Sequence, residues 1–178
     1  GISFGVEGAL FFWKNIGVGA EVNLSIHPVD AVGLATAKVF DDPFMEDLYV
    51  RSDPYNMLTS LIGFYYRINL SGKFSLQPSL KAGVLFGKTP FQLYEPKYFM
   101  VGPDYYKVTS SRDSGFAIKP GLAAIYSFNN YIALGLNADF TYSELSFGFS
   151  TSNGLEYRDR QISYFDFGLS LIIYLSSD

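Results

Sequence analysis

The chain has 178 residues, enough for one domain spanning 1–178, and it carries a net charge of −4 with no cysteine. The acidic balance argues against a nucleic-acid partner, and the absence of thiols excludes disulfide staples, thiolate metal sites and thiol catalysis. Hydrophobic residues make up 48% and aromatics 18%, yet no apolar run approaches the roughly 18 residues of a membrane-spanning helix.

Period-two alternation predicts seven strands. The first covers Ile2 to Phe12, with Ile2, Phe4, Val6, Leu10 and Phe12 on one face and Ser3, Gly5, Glu7 and Ala9 on the other. A tight turn at Trp13–Asn15 leads to the second, Ile16 to Ile26, whose inward positions are Gly17, Gly19, Glu21, Asn23 and Ser25. Pro28 to Pro54 reads as a long connection with a short helix over Ala31 to Phe40. The third strand, Tyr55 to Ile68, is read with Leu58, Ile62, Phe64 and Tyr66 outward and with Thr59, Gly63 and Arg67 inward. A turn on Ser71-Gly72 precedes the fourth, Phe74 to Gly87, which carries Lys81 inward. Lys88 to Gly115 is a second long connection, rich in aromatics. The fifth strand, Phe116 to Phe128, turns at Asn129-Asn130 into the sixth, Tyr131 to Leu145; these carry Lys119 and Asp139 inward. Ser146 to Gln161 reads as a third long connection, and the last strand is Ile162 to Leu175. Pro78 and Pro120 fall inside strands, where each removes a ladder donor and requires a bulge or a local break.

One face of these strands is apolar throughout, and the other is small or polar and carries charge. That is the reverse of a water-soluble sandwich. It is the pattern of an all-β, antiparallel up-and-down barrel with lipid on its outside. Connections alternate tight and long, as in outer-membrane barrels, and the strands meet the ~9–11 residues a tilted spanning strand needs. Even strand counts are the rule for such barrels. Eight strands are therefore expected with seven visible. The eighth is expected upstream of Gly1, where an exported chain would also have lost its leader, or, as the alternative, from a partner.

The chain resembles the small eight-stranded outer-membrane β-barrel family, the porin-like domains typified by the barrel of outer-membrane protein A. The sharpest local match is the last strand, where Asp166, Gly168, Leu171 and Ile173 fit the family's C-terminal assembly signal, although the chain ends Leu175-Ser176-Ser177-Asp178 and not on an aromatic. The resemblance implies a bacterial, Gram-negative outer-membrane location, contact with lipid and lipopolysaccharide, and recognition by the assembly machinery.

Seven inward charges, Glu7, Glu21, Arg67, Lys81, Lys119, Asp139 and Asp166, form a candidate lumen network. An eight-stranded interior is just wide enough for side chains to fill it, and desolvated charges must pair. Pairing Phe12 with Ile16 sets Glu7 opposite Glu21, two like charges that need Arg67 or a Lys between them, or one of the two protonated; pairing Ser127 with Tyr131 sets Lys119 opposite Asp139. An ion path is the alternative reading. His27, the only histidine, lies near Ser25 and Asp30, but an ordinary strand-end role is favoured over catalysis. Asp41, Asp42, Glu46 and Asp47 match no metal-loop spacing. Phe91, Tyr94, Tyr98, Phe99, Tyr105 and Tyr106 are candidate loop contacts, with interfacial girdle as the other reading. No catalytic residue, cofactor or metal is expected. The sequence reads as a non-enzymatic barrel with a structural or binding role, or that of an accessory subunit within a larger outer-membrane complex. A narrow channel or carrier for small apolar ligands, a lipid A-modifying enzyme and a soluble lipocalin-like barrel are the alternatives.

Overall fold

The computed structural model describes residues 1–99, 104–151 and 154–175; Ser176, Ser177 and Asp178 of the expected C-terminal signal region lie outside them. The elements are β1 (Ile2–Phe11), β2 (Ile16–His27), α1 (Ala31–Asp41), β3 (Met45–Ser52), β4 (Tyr55–Tyr66), β5 (Ile68–Asn69), β6 (Phe74–Lys88), β7 (Gln92–Tyr98), β8 (Tyr106–Val108), β9 (Arg112–Ser127), β10 (Ile132–Thr151) and β11 (Gly154–Ile173). Seven long strands pair in the order β1-β2-β4-β6-β9-β10-β11, every neighbour antiparallel, with short β5 added on β6. No helix among the described residues is long and apolar enough to cross a membrane.

The sheet is curled. Laid flat, β2 and β11 would stand five strand spacings apart, roughly 24 Å. The rings of His27 on β2 and Tyr164 on β11 nevertheless meet edge to face at 4.9 Å. At the opposite end the Arg67 guanidinium lies 4.3 Å from the Phe11 ring of β1 and 5.2 Å from that of Tyr174, just past β11. The two edge strands are thus drawn toward one another, but no ladder joins them among the described residues.

The alternation read from the sequence places each side chain. Met57, Thr59, Leu61 and Tyr65 of β4 are buried, while Leu58, Ile62, Phe64 and Tyr66 between them are exposed. Met57, Leu61, Leu85, Ala117, Leu145 and Phe147 form an apolar cluster on the inner face. The outer face stays bare: Val6, Leu10, Phe167 and Leu169 are 80, 81, 79 and 73% exposed.

Both prolines interrupt one flanking ladder and keep its register. Pro78 opposes Leu122 of β9, but on its other side the pairing with β4 stops at Tyr65↔Ser79 and resumes as Ile68↔Leu76. This gap divides β4 from β5. Pro120 opposes Leu80, and the ladder to β10 lapses between Asp139↔Gly121 and Tyr142↔Ile118. The missing donor opens the ladder without adding a residue.

The connections differ from the expectation. The first two fold together as a cap. Helix α1 ends one residue beyond the predicted Phe40, and the Asp30 carboxylate accepts from Gly33 N at its start (2.9 Å). Strands β3, β7 and β8 make a separate three-stranded sheet. Its buried Leu48, Val50 and Tyr94 pack with Ala31, Leu34, Ala35 and Val39 of α1. The third connection is no loop. Strands β10 and β11 continue through Ser146–Gln161 as one ladder to Thr151↔Gly154, where Gly154 takes φ +116°.

Candidate functional site: a charge layer on the inner face

Register brings like charges together twice. Glu7 stands directly opposite Glu21 in the β1–β2 ladder, and Lys81 stands directly opposite Lys119 in the β6–β9 ladder. Like charges in such positions are destabilising by themselves. The curl sets the two pairs against each other across the interior. Lys81 Nζ lies 2.9 Å from Glu7 Oε2, 2.5 Å from Glu21 Oε2 and 3.8 Å from Asp139 Oδ1. Lys119 Nζ lies 2.6 Å from Glu21 Oε1 and 3.5 Å from Asp139 Oδ2. Lys81, Lys119 and Glu21 are 3, 2 and 6% exposed. Desolvation on this scale requires such close pairing.

Space for the layer comes from glycine. Gly19, Gly63 and Lys81 are successive partners across β2, β4 and β6. A Cβ at Gly63 would stand 2.6 Å from Leu80 O and 2.7 Å from Lys81 Cα. One at Gly19 would stand 2.9 Å from the Tyr65 ring. The absence of a side chain at these two positions leaves the space that the Lys81 stem and the Tyr65 ring occupy.

Five of the seven charges picked from the sequence are therefore joined: Glu7, Glu21, Lys81, Lys119 and Asp139. The partner opposite Asp139 is corrected. The β9–β10 hairpin pairs Ser127 with Ala133, two residues beyond the expected Tyr131, so Gly121 faces Asp139 and Lys119 reaches it diagonally. Arg67 stands apart near the tight turns, where it donates to Gln77 Oε1 (3.3 Å) and its backbone N–H donates to Asn15 O (2.7 Å). Asp166 is the ladder partner of Asp139, but its buried Oδ2 has no hydrogen-bond partner among the described residues. The buried His27 Nε2 and Tyr164 hydroxyl are in the same condition.

The remaining candidates separate. Ser25 Oγ is reached by Asn23 Nδ2 (3.5 Å) and Asp30 caps α1, so His27 is engaged with Tyr164 and not with either of them. In the acidic cluster, Asp42 accepts from Phe44 N (3.0 Å), Glu46 pairs with Lys97 (3.3 Å) and Asp47 accepts from Leu48 N (2.8 Å). No group of three metal-ligating side chains forms among the described residues. Of the aromatic candidates, Phe91, Phe99, Tyr105 and Tyr106 are exposed, and Tyr98 is half-buried. Tyr94 is corrected: it is 4% exposed in the cap core, stacked on Tyr106 at 4.7 Å, and its hydroxyl donates to Gln92 Oε1 (2.9 Å). Burial pushes the Tyr94 phenol above its ordinary value, against the pull of Lys38. The Lys38 ammonium lies 4.8 Å from the Tyr94 ring and 5.7 Å from the Tyr106 ring, a contact the sequence did not single out because α1 and β8 are far apart in the chain. In the assembly-signal stretch, Asp166 and Gly168 take the inner face of β11 and Leu171 and Ile173 the outer.

Comparison of the chain with family models, with curated proteins and with solved structures finds no match.

Proposed function

We propose that the chain is a non-enzymatic β-barrel of the bacterial outer membrane, serving as a structural, binding or accessory component through its folded cap. The observation that carries this reading is the inversion of the sheet: charge is buried on the concave face, and large apolar side chains stand bare on the convex face of all seven long strands. Water would oppose that arrangement, whereas lipid favours it. In this reading lipid and lipopolysaccharide cover the convex face. The assembly machinery reads the Asp166–Ile173 stretch. Lys81, Lys119 and their acids plug the lumen, which favours a closed interior over a solute path. The cap carries Phe40, Phe44, Phe99 and Tyr105, exposed by 89, 74, 64 and 75%, toward any larger complex.

The test is detergent dependence with heat-modifiability. The purified chain is expected to stay monomeric only in detergent and to migrate differently on a gel before and after boiling. A detergent-free soluble monomer with no mobility shift would overturn the proposal.

A further inference from the structure

We infer that the open edge of β3, beside α1, is an acceptor for one extended strand of a basic partner polypeptide. The inference rests on the binding role proposed above and gives it a site and a partner class.

The edge lies within the cap. Strand β3 pairs with β7 on one side, and no strand pairs with its other side among the described residues. Asp53 N–H donates to Phe91 O (2.9 Å). That phase commits Arg51 and Tyr49 to β7 and turns the backbone groups of Leu48, Val50 and Ser52 to the open side. The Leu48 N–H is taken by the Asp47 carboxylate (2.8 Å), which leaves the Val50 N–H and the Leu48 and Val50 carbonyls facing outward. Groups in this position are a template for an added strand.

A groove follows the same edge. It holds about 350 Å³ between Val32, Ala35 and Val39 of α1 and Asp47, Leu48 and Val50 of β3. A strand paired with β3 would put alternate side chains on the face of Leu48 and Val50, against α1. Apolar residues suit those positions.

Charge selects the occupant. Residues 28–54 carry six acids and two bases. Lys38 is held over the Tyr94 and Tyr106 rings, and Arg51 lies beside the Tyr49 ring. Glu46 pairs with Lys97 (3.3 Å), whereas Asp47 at the groove is exposed with no cation beside it among the described residues. A second copy of the chain would bring the same acidic excess, and anionic lipid headgroups would meet it as like charge. A Lys or Arg at the end of the added strand would pair with it.

A fluorescent eight-residue peptide, the length of β3, tests this: Val alternates with Thr, and a Lys stands at each end. Its affinity for the folded chain in detergent is compared with that of the same peptide ending in Glu. The Lys peptide is expected to bind at least about tenfold more tightly, and Asp47→Asn is expected to shrink that ratio. Val50→Pro removes an outward N–H, which an edge strand tolerates, and is expected to abolish binding. The Val50 amide gives a readout without any variant: fast hydrogen exchange in the free chain, and protection once the Lys peptide is bound. Equal affinity of the two peptides would overturn the inference. So would a Val50 amide already protected in the free chain: protection independent of concentration would show this chain covering its own edge, and protection that grows with concentration would show a second copy. Heat-modifiability of the same samples reads the barrel separately: its absence sinks that reading, whereas peptide binding and Val50 exchange report on the edge alone.

Discussion

Glu7 and Glu21 face each other across the β1–β2 ladder, and the ammonium of Lys81, three strands from β1, sits between them at 2.9 and 2.5 Å. Two carboxylates that would repel in an isolated hairpin are thereby neutralised by a cation from across the curled sheet. The layer ties β6 and β9 to β1 and β2, strands that share no backbone ladder with them.

Lys81→Met is expected to remove that tie. Glu21 is 6% exposed and would keep only Lys119. Breaking one partner of a buried pair costs about 3–5 kcal/mol. Urea unfolding in detergent should show a loss of that order. The double variant Lys81→Met with Glu21→Gln should recover part of it, because the deeply buried carboxylate is then neutral, while Glu7, which also loses Lys81, is 37% exposed.

Gly63→Ala is expected to destabilise by about 1–3 kcal/mol, the usual cost of overpacking, since the added Cβ collides with backbone at Leu80 and Lys81. Gly8→Ala is the control, as a Cβ there meets nothing within 4 Å. Thermal unfolding of both variants decides whether inner-face glycines are kept for space.

The cap should fail independently of the large sheet. Leu48 is 4% exposed in the cap core, and Leu48→Ala is expected to cost the cap about 2–5 kcal/mol. Limited proteolysis should then cut within 28–54 and 88–111 while the gel mobility of the folded sheet persists. Equal loss of both would show one cooperative unit.

The Tyr94 phenol is raised by burial. Its contribution to cap stability is complete below the unfolded value of about 10 and is lost as pH rises through the higher folded value. Proteolytic resistance of the cap should fall above that pH in the wild type and fall less in Tyr94→Phe.

Strand parity was legible because each strand repeats its pattern many times: Lys81, Lys119 and Glu21 point inward as their neighbours require. The opposition of Glu7 and Glu21 followed from a three-residue turn. Lys119 and Asp139 missed direct opposition because the Asn129-Asn130 turn is longer by two residues, a slip that preserves parity and so leaves no trace in the pattern. The cap sheet was not legible, since Met45–Ser52 pairs with Gln92–Tyr98 some forty residues away and neither segment alternates long enough to declare itself. The extension of β10 past Leu145 was hidden by Phe147 and Phe149, which resemble loop aromatics until Tyr157 and Glu156 are set opposite Gly148 and Phe149.

The central claim is that lipid covers the convex face. In a Trp13→Phe background, Leu136→Trp on the outer face and Tyr49→Trp on the cap each carry the only tryptophan; both sites are exposed, by 62 and 55%. Fluorescence in brominated-lipid vesicles should be strongly quenched at position 136 and not at 49. Equal, weak quenching at both positions, with full quenching by aqueous iodide, would contradict a membrane-embedded sheet.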